Sequence, residues 1–129
     1  MNVLIVDDDL DIADASKELL EGAGHKVRIR HNGEEGLSSL DEAPLPDCVL
    51  LDVEMPVLNG PEMVHQMLLH DAGEENIPIL LVSGRNDLSA IARRMGTPYF
   101  LAKASADYAD QLLRILARAS RERQAPASA

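Results

Sequence analysis

Five side chains suited to phosphate and metal chemistry stand where apolar runs of the sequence end. Asp7 and Asp8 follow VLIV, Asp52 follows CVLL, Ser83 follows ILLV, and Lys103 follows YFLA. Such runs are typical of buried strands in a parallel sheet, and ligands of open α/β sheets bind outside the carboxyl ends of the strands. The sequence therefore predicts that three carboxylates, one hydroxyl and one ammonium meet at one edge. This set suits a divalent cation, a phosphoryl group and an aspartate that can accept it.

The rest of the chain alternates between strand-like and helix-like segments. Apolar runs predict strands at 2–6, 26–30, 47–51, 77–82 and 98–101. Helical periodicity follows each of them, at about 9–22, 33–41, 60–71, 87–95 and 105–120. Five βα units in strict alternation predict an α/β fold in which five helices cover both faces of a parallel sheet.

The composition of the strands predicts their order. VLIV, CVLL and ILLV are apolar throughout and belong in the centre of the sheet. The segment 27–30 alternates apolar and charged residues, and Pro98 cannot donate a ladder hydrogen bond, so both of these strands belong at edges. A flavodoxin-like, doubly wound sheet of order 2-1-3-4-5 meets these conditions. Its switch point lies between strands one and three, beside Asp7, Asp8 and Asp52.

Local signals predict how the helices begin and which side of the first helix is buried. Asp9 is a favoured N-cap residue, and Asn32 followed by Glu35 resembles a capping box. One face of the first helix carries Ile12, Ala15, Leu19 and Leu20.

The composition fits one domain with an uneven charge. For a chain of 129 residues we expect one domain at 1–120, followed by a disordered tail or the start of a linker at 121–129. The net charge is −10, with 18 acidic and 4 basic side chains in 1–84 but 4 acidic and 8 basic in 85–129. This reversal indicates either differently solvated faces or a docking surface in the last third of the chain.

Several classes of function fit the composition poorly. No apolar run approaches the ~20 residues of a membrane span and there is no basic leader, so we expect a cytoplasmic protein without membrane association. Three aromatic residues provide no set of stacking platforms, and the acidic charge disfavours direct nucleic acid binding. Cys48 is interpreted as a small core residue.

In their order, these motifs resemble the response-regulator receiver domains of two-component signalling, over residues 2–120. The resemblance rests on Asp7-Asp8, on LDVEMP at 51–56 with Asn59-Gly60, on Ser83-Gly84, and on FLAK at 100–103. Each piece alone is common. Four pieces in this order, each at a strand end, are specific.

The resemblance implies a phosphorelay domain rather than an enzyme with a separate substrate. Asp52 resembles the phosphoacceptor, which takes the group from a phosphohistidine of a histidine kinase or phosphotransfer protein. Asp8, Asp52 and the backbone carbonyl of Glu54 resemble direct ligands of Mg²⁺. Asp7 resembles a ligand that acts mostly through water. Such a domain promotes its own aspartyl phosphorylation and dephosphorylation.

The remaining site residues follow from the same resemblance. Lys103 and Ser83 would contact the phosphoryl oxygens, and Gly84 would leave room for them. Ser83 and Phe100 resemble the switch residues that report phosphorylation to a face made by the fourth helix, fifth strand and fifth helix. That face would bind a downstream protein, with a homodimer as an alternative.

Three positions depart from the family pattern. Ala104 follows Lys103 where the family usually has proline, which leaves the conformation of the Lys103–Ala104 bond open. Phe100 replaces the commoner tyrosine, so a switch there would act through packing alone. Glu54 and Arg85 are large and oppositely charged, and they are candidates for a gate over the acceptor.

Two other functions compete with signalling. A haloacid-dehalogenase-like phosphatase also uses Asp, Ser or Thr, Lys and Mg²⁺, but its nucleophile ends the first strand in a D-x-D pattern, whereas Asp52 follows strand three. A flavin-binding module of the same fold needs a phosphate loop after strand one, where this chain has DDD.

Overall fold

A parallel sheet organises the part of the chain that the computed structural model describes, residues 1–39, 45–53, 77–84, 87–103 and 106–124. Its strands are β1 (Asn2–Val6), β2 (Lys26–Arg30), β3 (Cys48–Asp52), β4 (Ile79–Ser83) and β5 (Tyr99–Ala102). The helices in these residues are α1 (Leu10–Gly22), α2 (Gly33–Ser39), α3 (Leu88–Met95) and α4 (Tyr108–Gln124). The fourth and fifth predicted helices are thus α3 and α4, and the predicted helix at 60–71 lies outside the described residues.

The strand order is β2-β1-β3-β4-β5, which confirms the predicted fold class. β1 pairs in parallel with β2 and β3, so its neighbours are the second and third strands of the chain. Every residue of β3 is buried, whereas no residue of β2 is fully buried. The contrast matches the composition of the two strands, because an all-apolar strand is stable only with both faces covered.

Two apolar clusters cover the two faces of the sheet. Leu4 and Val6 of β1 lie in a cluster with Leu88, Ile91 and Ala92 of α3. The alternate residues Val3 and Ile5 lie in a second cluster, together with side chains of α1 and α4. A one-residue slip of β1 would exchange these two sets, and full burial of each such side chain is worth about 1.5–3 kcal/mol. This packing fixes the register that brings the strand ends level.

The predicted signals at the starts of α1 and α2 are confirmed. The Asp9 carboxylate accepts a hydrogen bond from the backbone N–H of Ile12 at 3.3 Å. Asn32 Oδ1 accepts from the N–H of Glu35 at 2.9 Å, and Asn32 Nδ2 donates to Glu35 Oε2 at 3.0 Å. Within the described ranges, no helix has both the length and the apolar character needed to cross a membrane.

The buried face of α1 differs from the predicted one by one position. Ala15 is exposed, whereas Ser16 is only 1% exposed and lies between the buried Ala13 and Leu20. A count of apolar residues does not include Ser16, because it takes no account of a serine whose hydroxyl has a hydrogen-bond partner inside the protein. The partner is described with the site below.

The last helix is longer than its predicted end at 120, since α4 continues to Gln124. The Tyr99 hydroxyl donates to Glu122 Oε2 at 2.5 Å, and Arg118 Nε pairs with Glu122 Oε1 at 3.1 Å. These contacts hold a turn that has no apolar periodicity of its own. Residues 125–129 lie outside the described residues, so the division into a domain at 1–120 and a tail at 121–129 stays a prediction.

Candidate functional site

The carboxyl ends of four strands bring the predicted site residues to one edge of the sheet. Asp7 directly follows β1, Asp52 ends β3, Ser83 ends β4 and Lys103 directly follows β5. Ladder pairing sets their levels, because Asp52 is opposite Val82 and Ser83 is opposite Ala102. The ladder continues past the strands, where the N–H of Lys103 donates to the carbonyl of Ser83 at 3.0 Å.

Three carboxylates form the centre of this edge. Asp7, Asp8 and Asp52 each offer an oxygen atom, and these atoms lie within 4.8 Å of one another. Asp7 is 4% exposed and Asp52 is 6% exposed, whereas Asp8 is exposed. Like charges at this separation repel, and they repel more strongly where burial removes water. The cluster therefore requires positive charge nearby.

Lys103 supplies one positive charge. Its Nζ lies 3.0 Å from Asp7 Oδ2, 3.2 Å from Asp7 Oδ1 and 3.5 Å from Asp52 Oδ2. Burial on its own lowers the pKa of Lys103, but the hydrogen bond to Asp7 and the charges of Asp52 and Asp7 outweigh burial and raise it. The ammonium thus stays charged, and among the described residues it is the cation that faces these three carboxylates.

The remaining negative charge suits a hard divalent cation. Mg²⁺ takes oxygen ligands at about 2.0–2.1 Å in octahedral geometry and keeps several waters, so two direct ligands are at most about 4.2 Å apart. Carboxylate oxygens within 4.8 Å of one another fit a site in which some carboxylates bind directly and one acts through water. Asp7 Oδ1 also accepts the N–H of Asp9 at 2.9 Å, which fixes the orientation of this carboxylate.

Three more of the predicted residues belong to β4 and β5: Ser83 ends β4, Gly84 follows it, and Phe100 lies within β5. Ser83 is 3% exposed and Gly84 is exposed. A Cβ atom on Gly84 would meet no other atom within 4 Å, so open space adjoins this backbone position. Phe100 alternates along β5 with the buried Tyr99 and Leu101 and is 41% exposed. The roles of these residues toward a phosphoryl group stay predictions.

Three predicted features lie outside the described residues. Glu54 and Arg85, the candidates for a gate, belong to the undescribed ranges 54–76 and 85–86, and so does the backbone carbonyl predicted to bind Mg²⁺. Ala104 is also undescribed, so the conformation of the bond after Lys103 stays open.

Sequence reasoning missed one polar contact beside the site. The hydroxyls of Tyr108 and Ser16 lie 3.0 Å apart and join the first turn of α4 to α1. Burial raises the pKa of Tyr108, the hydrogen bond to Ser16 lowers it, and the charges of Asp7 and Lys103 raise and lower it respectively. No spacing in the sequence pairs Tyr108 with Ser16, which lies 92 positions away along the chain.

Comparison with known proteins gives one family. The sequence model of the response regulator receiver domain matches residues 3–116. Response regulator MprA of Mycobacterium avium (strain 104) is 35% identical over 89 residues, which cover 69% of this chain and 37% of that protein. A response regulator receiver protein of Anaeromyxobacter sp. (strain Fw109-5) is 34% identical over 93 residues, covering 72% of this chain and 38% of that protein. The chain thus spans little more than a third of the length of these relatives.

Solved structures agree with the sequence matches. The chemotaxis protein CheY4 of Vibrio cholerae superposes with a TM-score of 0.80 at 28% identity, covering 92% of this chain and 97% of that chain. A CheY-like receiver domain protein of Methanospirillum hungatei JF-1 has a TM-score of 0.82 at 26% identity, covering 95% of each chain.

Proposed function

The chain belongs to the response regulator receiver domain family, and from this membership we propose that Asp52 is the residue that accepts the phosphoryl group. Family membership makes the chain a signalling phosphoacceptor rather than a conventional enzyme. The haloacid-dehalogenase-like phosphatase has no support in the matched family and relatives. The relatives are longer than this chain, so its kinase, its output and its location in the cell are proposals.

The contact of Lys103 with both Asp7 and Asp52 is the observation that carries the assignment. Asp7 holds Lys103 Nζ and the N–H of Asp9 on its two oxygens, which suits a fixed supporting carboxylate. Asp52 ends a buried central strand with Lys103 Nζ 3.5 Å away. An oxygen of Asp52 would form the new P–O bond as the P–N bond of a phosphohistidine breaks.

Positioning and charge are what a phosphoryl transfer of this kind requires from the protein. Lys103 would follow the developing charge from Asp52 to a phosphoryl oxygen, which is a short move for a flexible ammonium. Ser83 would donate its hydroxyl to a second oxygen, and Gly84 would leave room for a third. The same groups would orient water during hydrolysis, so the domain would promote both its phosphorylation and its dephosphorylation.

The metal site is proposed to use the same carboxylates. Asp8 and Asp52 would bind Mg²⁺ directly and Asp7 would act mostly through water, with the backbone carbonyl of Glu54 as a further ligand. When bound, the cation would neutralise the carboxylates and allow a phosphoryl group to approach. The close carboxylate cluster supports this proposal.

The partner that donates the phosphoryl group is proposed to be a histidine kinase or a phosphotransfer protein. Output is proposed to run through α3, β5 and α4, with a downstream protein as the partner and a second copy of the chain as the alternative occupant. Arg93, Arg94, Arg114 and Arg118 are exposed on these helices, in a chain of net charge −10. Phe100 is exposed between them. A cytoplasmic location without direct nucleic acid or membrane binding remains the prediction from the sequence.

The acceptor can be tested by intact-mass spectrometry with a small acyl phosphate as donor. The wild-type chain should gain one phosphoryl group in Mg²⁺ and none in a chelator, and Asp52→Asn should gain none. Asp14→Asn removes an exposed carboxylate of α1 and is the matched control, which should be phosphorylated normally. Phosphorylation of Asp52→Asn, or no effect of the chelator, would contradict the assignment.

The output face can be tested by comparing amide chemical shifts with and without phosphorylation in Mg²⁺. Changes should extend from the strand ends to residues 87–118. Changes confined to the loops around Asp8 and Asp52 would refute a switch on this face. Salt-sensitive binding to duplex DNA would refute the proposed class of partner.

A further inference from the structure

The Ser16–Tyr108 hydrogen bond joins the two helices whose preceding segments carry the site. Ser16 lies in α1, which begins three residues after Asp7, and Tyr108 is the first residue of α4, five positions after Lys103. Their oxygens are 3.0 Å apart, and Ser16 is 1% exposed. The Tyr108 ring packs against the same apolar cluster as α1 and β5.

Further contacts tie α1 and Lys103 to the same carboxylate, Asp7. Asp7 Oδ1 accepts the N–H of Asp9, and Asp9 caps α1, so the start of this helix is tied to the carboxylate. Ser16 ties α1 to Tyr108, which begins the helix that follows Lys103 in the sequence. Nζ of Lys103 lies 3.0 Å from Oδ2 of Asp7, so Lys103 is paired with the same carboxylate.

Burial raises the pKa of Tyr108, and charges of the site contribute smaller effects. Asp7 and Lys103 both act on the ionisation of the Tyr108 hydroxyl, after the larger effects of burial and of the hydrogen bond to Ser16. Neither charge could act in this way from the far end of α4.

We propose that Tyr108 is a positioning residue for phosphoryl transfer: its hydroxyl, held by Ser16, fixes the start of α4 and with it the reach of Lys103 to Asp7 and Asp52. This inference rests on the proposed function of the site. It adds a residue that touches neither the phosphoryl group nor the metal ligands and acts through Lys103.

The change Tyr108→Phe isolates the hydroxyl, because the ring and its packing remain. Without the bridge, the first turn of α4 is held by packing alone, and Lys103 samples more positions. We expect the phosphorylation rate at Asp52 to fall about threefold to tenfold, less than the ~100-fold that a 1 Å misplacement can cost.

The chain offers a matched control in its other tyrosine. Tyr99 is 7% exposed, lies in the same apolar cluster and donates its hydroxyl to Glu122, at the opposite end of α4. Tyr99→Phe removes a comparable hydrogen bond and should leave the phosphorylation rate unchanged. Ser16→Ala should reproduce the effect of Tyr108→Phe, and Ser16→Thr, which keeps a hydroxyl, should restore most of the rate.

The decisive measurement repeats Tyr108→Phe in a Lys103→Met background. Rates are followed by intact mass, with an acyl phosphate donor in Mg²⁺. If Tyr108 acts through Lys103, its substitution has no further effect on the residual rate of Lys103→Met. If Tyr108→Phe only reduced the fraction of correctly folded protein, it would instead lower the rate by the same factor in both backgrounds.

Three results would overturn the inference: a wild-type rate for Tyr108→Phe, an equal loss for Tyr99→Phe, or an undiminished loss in the Lys103→Met background. A wild-type chain that gains no phosphoryl group would overturn the proposed function, and this inference with it. Normal phosphorylation of Tyr108→Phe would overturn the inference alone.

Discussion

Replacing Asp52 by asparagine should stabilise the fold when Mg²⁺ is absent. The substitution keeps the shape of the side chain and removes one of three neighbouring negative charges. Asp52 is 6% exposed, and the described residues place two carboxylates, Asp7 and Asp8, and one ammonium, Lys103, near it. The sign of the effect depends on whether repulsion by the carboxylates exceeds attraction by the ammonium.

The distances give the size of the effect. The cluster oxygens lie within 4.8 Å of one another, and at that outer limit and an effective dielectric constant of about 20 each carboxylate repels Asp52 by about 3.5 kcal/mol, so two together give about 7 kcal/mol. Attraction to Lys103 at 3.5 Å is about 5 kcal/mol on the same scale. Repulsion thus exceeds attraction by about 2 kcal/mol. Solvent screening of the exposed Asp8 reduces this difference, whereas asparagine avoids the cost of burying the charge of Asp52, which increases it. We therefore expect Asp52→Asn to raise the free energy of unfolding by about 1–3 kcal/mol.

Urea unfolding followed by circular dichroism measures this difference in a chelator and in Mg²⁺. A ligand at 100 times its dissociation constant stabilises the folded state by about 2.7 kcal/mol. Mg²⁺ should thus stabilise the wild-type chain, and it should stabilise Asp52→Asn much less because one charged ligand is gone. Asp14→Asn on the exposed side of α1 is the control, with an expected change within about 0.5 kcal/mol.

Lower stability of Asp52→Asn in the chelator would refute the reasoning. It would mean that the attraction between Lys103 and Asp52 outweighs the repulsion among the carboxylates. Equal stabilisation of both proteins by Mg²⁺ would instead mean that Asp52 is not a ligand of the metal ion.

Three further predictions concern pH, capping and the lifetime of the phosphoryl group. Burial, then the hydrogen bond and charge of Glu122, raise the pKa of Tyr99 to about 12. The stability contributed by the neutral, hydrogen-bonded Tyr99 is complete below about pH 10 and is lost as the pH rises from 10 to 12. Tyrosinate absorbance of the wild-type chain compared with that of Tyr99→Phe measures the pKa of Tyr99. A midpoint near 10 would contradict the prediction. Asp9→Ala should lower the free energy of unfolding by about 1 kcal/mol through loss of the α1 cap, and an unchanged urea midpoint would exclude that role. Glu54→Ala combined with Arg85→Ala should shorten the phosphoryl half-life if these residues gate the acceptor; an equal or longer half-life would exclude the gate.

The sheet was predictable because burial and sequence pattern agree strand by strand. β1 and β2 have the predicted bounds, and the apolar character of β3 placed it in the centre. Deviations arise where a tertiary contact replaces a local signal. The last turn of α4 carries only polar residues after Ser120, and it is Glu122, held by Tyr99 and Arg118, that extends the helix.

The sequence predicted which residues form the candidate site better than it predicted the contacts between them. Strand ends of a parallel sheet must meet, so Asp7, Asp52 and Lys103 were expected to converge. The shorter approach of Lys103 to Asp7 than to Asp52 depends on side-chain geometry that no spacing reports. The Ser16–Tyr108 bridge was missed because each residue alone fits an ordinary helix.

The proposed acceptor stands at the end of the most completely buried of the described strands. All five residues of β3 are buried, and the strand pairs with β1 on one side and β4 on the other. To displace Asp52, two ladders would have to separate, an opening whose free energy approaches that of global unfolding. Lys103 and Asp8 lie beyond the ends of β5 and β1, and Lys103 is held there by its N–H on the carbonyl of Ser83 and by its ammonium on Asp7. We therefore expect conformational signalling in this domain to involve side chains that move relative to a carboxylate whose backbone stays in place.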